Sequence, residues 1–286
     1  TDLTSELSND EDARVDFENK ISEVFHKISG FTVRETKNSN IIDLPSKKYI
    51  TKIAEWEPHQ RDLYDTIRKE MKALVVKNGV PVEDISDGIL KRLLRLIQVA
   101  SNPTLIDQNY RAEPGKLATL IEIIETIIRN GEKSIIWTNF VENVIWLSKE
   151  LYNFGTCAVH GKMSMEKRNH SLDLFKDDPA TQILVATPAS AKEGLTLTSA
   201  NNVIFFDRSF SLDDYLQAQD RIHRISQTKQ CNIYTIIMPD SIDLWVDSLL
   251  EAKKMAAQLT QGDITISEYQ ENIDYDFNEL LSEILK

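Results

Sequence analysis

The residue types best suited to chemistry crowd into one stretch, Gln217-Ala218-Gln219-Asp220-Arg221-Ile222-His223-Arg224-Ile225-Ser226-Gln227. Arg221 and Arg224 stand three residues apart, so a continuing helix places both guanidiniums on one face. Gln217 lies one turn before Arg221. Two planar, permanently charged forks beside an amide match the oxygens of a triphosphate. The same spacing also describes a solvated charged helix balanced by Asp213, Asp214 and Asp220. Spacing by itself leaves both readings open.

The other half of a nucleotide site is missing from the sequence. A phosphate-cradling loop reads Gly-x-x-x-x-Gly-Lys-[Ser/Thr]. Gly115-Lys116 has Tyr110 where the first glycine belongs and Leu117 after the lysine; Gly161-Lys162 has Thr156 and Met163 there. Neither is such a loop. Asp10-Glu11-Asp12 sits in a polar leader with no apolar strand before it, and reads as solvated charge. Cys157 and Cys231 fall in apolar runs and read as small core residues. Two cysteines make neither a disulfide framework nor a four-ligand zinc site, and no metal site is expected on this chain. His26, His59 and His170 have no sequence partners, and Trp56, Trp137, Trp146 and Trp245 read as packing. By itself the chain is expected neither to bind Mg-ATP tightly nor to turn it over.

The elements that must position the arginines follow from periodicity. A helical pattern spans Val15 to Ile28, and a polar linker runs from Thr36 to Lys48. A strand is expected over 49–56, and helices over 58–77 and 87–100, the second stopped by Asn102-Pro103. From residue 114 short apolar runs alternate with amphipathic helices: helix 114–129, strand 133–138, helix 141–153, strand 156–160, helix 164–176, strand 182–187, strand 202–207, helix 212–223, strand 231–237 and helix 241–259. That alternation predicts an α/β fold, a doubly wound parallel sheet with helices on both faces and a helical subdomain before it. In such sheets ligands meet the carboxyl ends of the strands.

Charge bounds the partners. The formal net charge is −12, but residues 1–20 carry −5 and residues 263–286 carry −6, leaving −1 for the body. The overall acidity argues against indiscriminate DNA binding and leaves room for a local phosphate-binding face. At 41% hydrophobic residues a sizeable core is expected. No apolar run approaches the roughly 20 residues of a membrane span. No signal peptide is recognised, so a reducing compartment is expected, cytoplasmic in a bacterium or nuclear in a eukaryote. The first residue, Thr1, is what a processed or excised piece would show.

The arginine stretch resembles the last helicase motif of the Swi/Snf-type superfamily-two ATPases, Gln-Ala-x-Asp-Arg-x-His-Arg-x-Gly-Gln. Asp207 ends the preceding strand Asn201–Asp207, ten residues before Gln217, as in that family. Ile183–Thr187 with Lys192-Glu193-Gly194 to Thr198 is similar to the motif before it. Lys133–Phe140 resembles the opening strand of the second RecA-like lobe, and His160-Gly161 with Arg168 the next strand end. Phe31–Lys37 with Leu44–Lys47 resembles the inter-lobe linker. Leu93–Pro103 resembles the helical insertion leading to Gly115-Lys116. Two departures stand out: Ser226 occupies a glycine position, and six residues separate Thr187 from Gly194 where the family pattern has five.

The resemblance implies four segments: 1–48 as first-lobe remnant and linker, 49–112 as helical subdomain, 113–260 as RecA-like helicase C-terminal lobe, and 261–286 as an acidic helix or tail. It implies Arg224 as arginine finger, Arg221 as second phosphate contact and Gln217 as an orienting group. Glu193, Gly194 and Asp220 fall at the interface with ATP and the first lobe. Thr138, Asn139, His160, Gly161, Thr187 and Lys192 fall on a double-stranded-DNA track. ATP and Mg²⁺ would be held mainly by the first RecA-like lobe of the same polypeptide, with further subunits of a DNA-processing complex as possible partners. The rival expectation is a catalytically silent helicase-like lobe serving as an interaction module.

Overall fold

The computed structural model describes residues 44–78, 83–191, 196–261, 263–265 and 267–269. The expected helix at 15–30, the segment Phe31–Lys37, and the tail from 270 onward lie outside the described residues. Six strands form one parallel sheet: β1 (Lys47–Ile53), β2 (Ser134–Trp137), β3 (Thr156–Val159), β4 (Ile183–Ala186), β5 (Asn202–Phe205) and β6 (Cys231–Ile237). Their order across the sheet is β1-β6-β5-β2-β4-β3. Strands β2, β4 and β5 are buried at every position. Unbroken apolar runs such as Ile183-Leu-Val-Ala186 form them because both sheet faces are covered.

Seven α-helices are described: α1 (Pro58–Asn78), α2 (Glu83–Ser101), α3 (Lys116–Arg129), α4 (Val141–Glu150), α5 (Met165–Asp177), α6 (Leu212–Gln219) and α7 (Ile242–Thr260). Alternate strand residues feed two cores. Ile136, Ile183, Val185 and Ile204 pack with α1–α4 and α7. Ile135, Trp137, Leu184, Val203 and Phe205 pack with Leu172 and Phe175 of α5 and Ala218 of α6. This is the doubly wound sheet the sequence pattern predicts, with α1 and α2 packed together ahead of it and α2 resting on α7.

Three local outcomes differ from the periodicity. The strand expected over 49–56 runs from Lys47 to Ile53 and pairs in parallel with β6, Lys47 opposite Cys231. It therefore belongs to the main sheet. Helix α4 ends at Glu150, followed by a 3₁₀ turn at Tyr152–Phe154. Helix α6 ends at Gln219, so Arg221 and Arg224 do not ride on a continuous helix face. The reason is tertiary. The Arg221 carbonyl accepts the Leu197 N–H at 2.9 Å. The buried Gln227 carboxamide donates to the carbonyls of Ile222 and Ala200 at 3.2 and 2.8 Å. Those bonds replace the helical ladder, and Ile222 is driven into the core.

Candidate functional site

The turn after α6 brings the arginines together by a different route. Ser211 caps α6, its hydroxyl accepting the Asp214 N–H at 3.2 Å. Beyond Gln219 the backbone coils so that Gln217, Asp220, Arg221, Arg224 and Ser226 line one cleft of about 690 Å³ together with Thr196. That volume falls in the range of small-molecule sites. Arg224 donates through Nε to the Asp220 carbonyl at 3.2 Å and through a terminal nitrogen to Thr196 Oγ1 at 3.0 Å. Arg221 is buried. Its pKa is lowered by burial and by the neighbouring Arg224 charge, with Asp220 offsetting part of this. Two cations held side by side in a partly desolvated cleft favour an anionic ligand, whose arrival relieves both penalties.

Ser226 at the glycine position is accommodated locally. Asp240 is the one non-glycine residue with positive φ among the described residues, so this turn requires no left-handed backbone at Ser226. The Ser226 hydroxyl instead bonds Thr198 Oγ1 at 2.9 Å.

A second constellation fills the point where the sheet changes winding direction. The connection from β2 leads toward β3 and that from β5 toward β6, so their carboxyl ends diverge. Such a crevice usually takes a ligand; here side chains occupy it. Asp207, following β5, accepts from Thr138 Oγ1 at 2.5 Å and from the backbone and side-chain nitrogens of Asn139, both at 2.8 Å. Asn143 of α4 reaches Asp207, Thr138 and Ser101, and accepts from Asn102 at 3.0 Å. Burial pushes the Asp207 carboxyl up, while the Thr138 and Asn139 bonds and nearby Lys116 pull it back. The network ties the end of α2 to the ends of β2 and β5.

Lys116 confirms that Gly115-Lys116 is no phosphate loop. Its ammonium points inward, 2.7 Å from Asp243 Oδ2 and 3.0 Å from the Phe206 carbonyl, with no exposed surface.

The expected site residues therefore divide into groups. Gln217, Asp220, Arg221 and Arg224 share the cleft. Thr138 and Asn139 lie at the end of β2; the Thr138 hydroxyl is wholly buried, and its bond to Asp207 turns it away from the surface. His160 and Gly161 follow β3, where a Cβ on Gly161 would meet nothing within 4 Å, so the backbone there is open. Burial, followed by the charges of Lys162 and Arg168, lowers the His160 pKa and favours the neutral ring. Thr187 follows β4 and is buried, its carbonyl accepting the Ser190 N–H at 3.0 Å. Lys192, Glu193 and Gly194 lie outside the described residues. Sequence reading assigned no site role to Asn143, and placed Lys47 only in the stretch that resembles the inter-lobe linker. Among the described residues no group of three or more His, Cys, Asp or Glu could hold a metal, and no helix is long and apolar enough to cross a membrane.

A doubly wound parallel sheet with paired arginines after its fifth strand is the arrangement of a RecA-like lobe. Residues 115–226 match the helicase conserved C-terminal domain. The SWI2/SNF2 ATPase core of Sulfolobus solfataricus in complex with dsDNA superimposes with a TM-score of 0.64 at 27% identity, covering 89% of this chain and 56% of that one. The C-terminal domain of a Sulfolobus solfataricus SWI2/SNF2 ATPase shares the fold, with a TM-score of 0.59 at 22% identity, over 81% of this chain and 100% of that one. The ATP-dependent helicase FUN30 of Saccharomyces cerevisiae is 30% identical over 179 residues, 58% of this chain and 16% of that protein. The ATP-dependent DNA helicase DDM1 of Arabidopsis thaliana is 24% identical over 260 residues, 84% of this chain and 34% of that protein. Together these likenesses support a C-terminal superfamily-two lobe of the Swi/Snf type. The chain spans about a sixth to a third of the length of these two curated relatives.

Proposed function

We propose that this chain is the second motor lobe of an ATP-dependent double-stranded-DNA translocase. The observation that carries the proposal is the pair of neighbouring guanidiniums in an open cleft, on a lobe with no phosphate loop in its sequence. Half a nucleotide site needs a complement, and the first RecA-like lobe of the same polypeptide would supply the phosphate loop. ATP with Mg²⁺ supplies the cleavable γ-phosphoryl group, held mainly by that lobe. Arg224 meets charge that develops in the transition state, Arg221 contacts phosphate oxygens, and Gln217 orients the segment or the attacking water. Glu193, Gly194 and Asp220 shape the face between lobes.

The DNA track uses strand ends. The open backbone at His160-Gly161, together with Thr187 and Lys192, would contact phosphates without reading bases. A relative's structure with dsDNA supports that partner. Thr138 and Asn139 serve the track indirectly, by fixing the end of β2 through Asp207. This lobe by itself would not hydrolyse ATP.

The test is ATP turnover by the full-length protein carrying Arg224→Ala or Arg224→Lys, with and without saturating duplex. A kcat loss of at least about 10²-fold with little change in KM is expected, because the finger acts on the chemical step. Lysine should not rescue, since an ammonium lacks the planar fork. Near-normal kcat in Arg224→Lys refutes the finger assignment. A wild-type protein without turnover would favour the interaction-module reading.

A further inference from the structure

Strand β1 is placed at the sheet edge with little burial to hold it there: Tyr49 is 56% exposed and Ile53 68%. Beyond its ladder with β6, its side-chain bonds go to the arginine segment. Lys47 Nζ lies 3.0 Å from Asp220 Oδ1 and 3.4 Å from Gln219 Oε1. The Tyr49 hydroxyl donates to the same Gln219 oxygen at 3.1 Å. Just before the strand, the Pro45 carbonyl accepts from His223 Nε2 at 2.8 Å. Gln219 is fully buried, so its amide is a fixed anchor between the two. Asp220 is in turn the residue whose carbonyl accepts from Arg224 Nε.

Asp220 shares the cleft with Arg221 and Arg224. A carboxylate beside two guanidiniums competes with any incoming phosphate for their forked donors. Lys47 gives that carboxylate a cation on the side of β1. Without it, Asp220 would be freer to turn toward the arginines lining the same cleft.

We infer that Lys47 is a positioning residue for the arginine pair, holding the Asp220 carboxylate against β1 so that Arg221 and Arg224 present their donors to the ligand. The inference rests on the reading of Arg224 as the finger.

The test measures ATP turnover of the full-length protein with saturating duplex. Lys47→Ala should lower kcat about 5- to 30-fold, the upper part of the range seen when a residue acts through another. Lys47→Arg, which keeps the cation, should stay within about threefold of wild type. Adding Asp220→Asn to Lys47→Ala removes the released competitor and should recover at least about threefold of the loss. That recovery separates positioning from a general loss of fold, since a second substitution in a merely weakened site would not restore rate. If Lys47→Ala keeps kcat within twofold while Arg224→Ala abolishes turnover, the inference fails and the finger reading stands. A Lys47→Ala loss that Asp220→Asn does not relieve also overturns it. If Arg224→Ala itself keeps turnover, both fall.

Discussion

Replacing Lys116 by alanine tests how the lobe is held together at the point where a phosphate loop would otherwise be sought. The lysine is fully buried, and its ammonium serves two acceptors, Asp243 Oδ2 at 2.7 Å and the Phe206 carbonyl at 3.0 Å. Removing one member of a buried ion pair costs about 3–5 kcal/mol, because the partner's charge stays behind. Here Asp243 keeps the Met238 N–H at 2.9 Å and sits in the first turn of α7, where the helix dipole favours an anion. That places the ionic share near the low end, about 3 kcal/mol. The stranded Phe206 carbonyl adds about 1 kcal/mol, and the space left by the stem adds a cavity contribution. A loss of about 4–5 kcal/mol is a large part of a domain's stability. At this size it lowers Tm by roughly 8–20 °C. Thermal unfolding of this chain by circular dichroism reads it directly. Lys116→Met should recover the cavity share and leave the ionic share. Lys116→Met with Asp243→Asn should be more stable than Lys116→Met, because no unpaired charge then remains. Unfolding of Lys116→Ala within about 1 kcal/mol of wild type would refute the buried-pair argument.

Two further outcomes can be read from the same melts and from denaturant titrations. Gly115→Ala should destabilise by about 2–3 kcal/mol or more, since the added Cβ would sit 1.9 Å from the Glu55 carbonyl oxygen, backbone that must move; an unchanged melt would mean that this contact yields at no cost. Glu57 contributes to the acid limb of stability. Burial raises its pKa, but the Tyr110 hydroxyl, His59 and the Gln60 N–H outweigh that and hold it at about 2. Its folded value lies below its unfolded one, so its contribution is present above the ordinary carboxylate range and lost as pH falls toward about 2. Urea midpoints at falling pH should drop less steeply in Glu57→Gln, and identical acid limbs would count against the assignment.

Much of the lobe is written locally. Runs such as Ile135–Trp137 and Ile183–Ala186 are apolar throughout, and only a strand covered on both faces uses such a run economically. The residues of the candidate cleft were legible as a cluster too, because Gln217, Asp220, Arg221 and Arg224 lie within eight residues of one another. Helix α3 was readable from its apolar stripe, and the stop of α2 at Asn102-Pro103 from the proline; the structure adds the Asn102 side chain that accepts the Thr104 N–H at 3.1 Å.

What the sequence could not reveal depends on partners far along the chain. Periodicity carried α6 to His223, yet the helix stops at Gln219, and the Arg221 and Ile222 carbonyls bond Leu197 and Gln227 in place of a following helical turn. Thr138 has the character of a strand-end hydroxyl facing a ligand, and only the arrival of Asp207 beside it turns it inward. Lys47 meets Asp220 across 173 residues of sequence, through a strand pairing that no local pattern specifies. Local sequence fixes which residues are apolar, charged or able to cap, since those are properties of neighbours on the chain. Whether a given lysine, hydroxyl or arginine faces solvent, a buried carboxylate or an open cleft is set by the packing of distant elements, because an unpaired buried polar group costs too much to leave unmatched.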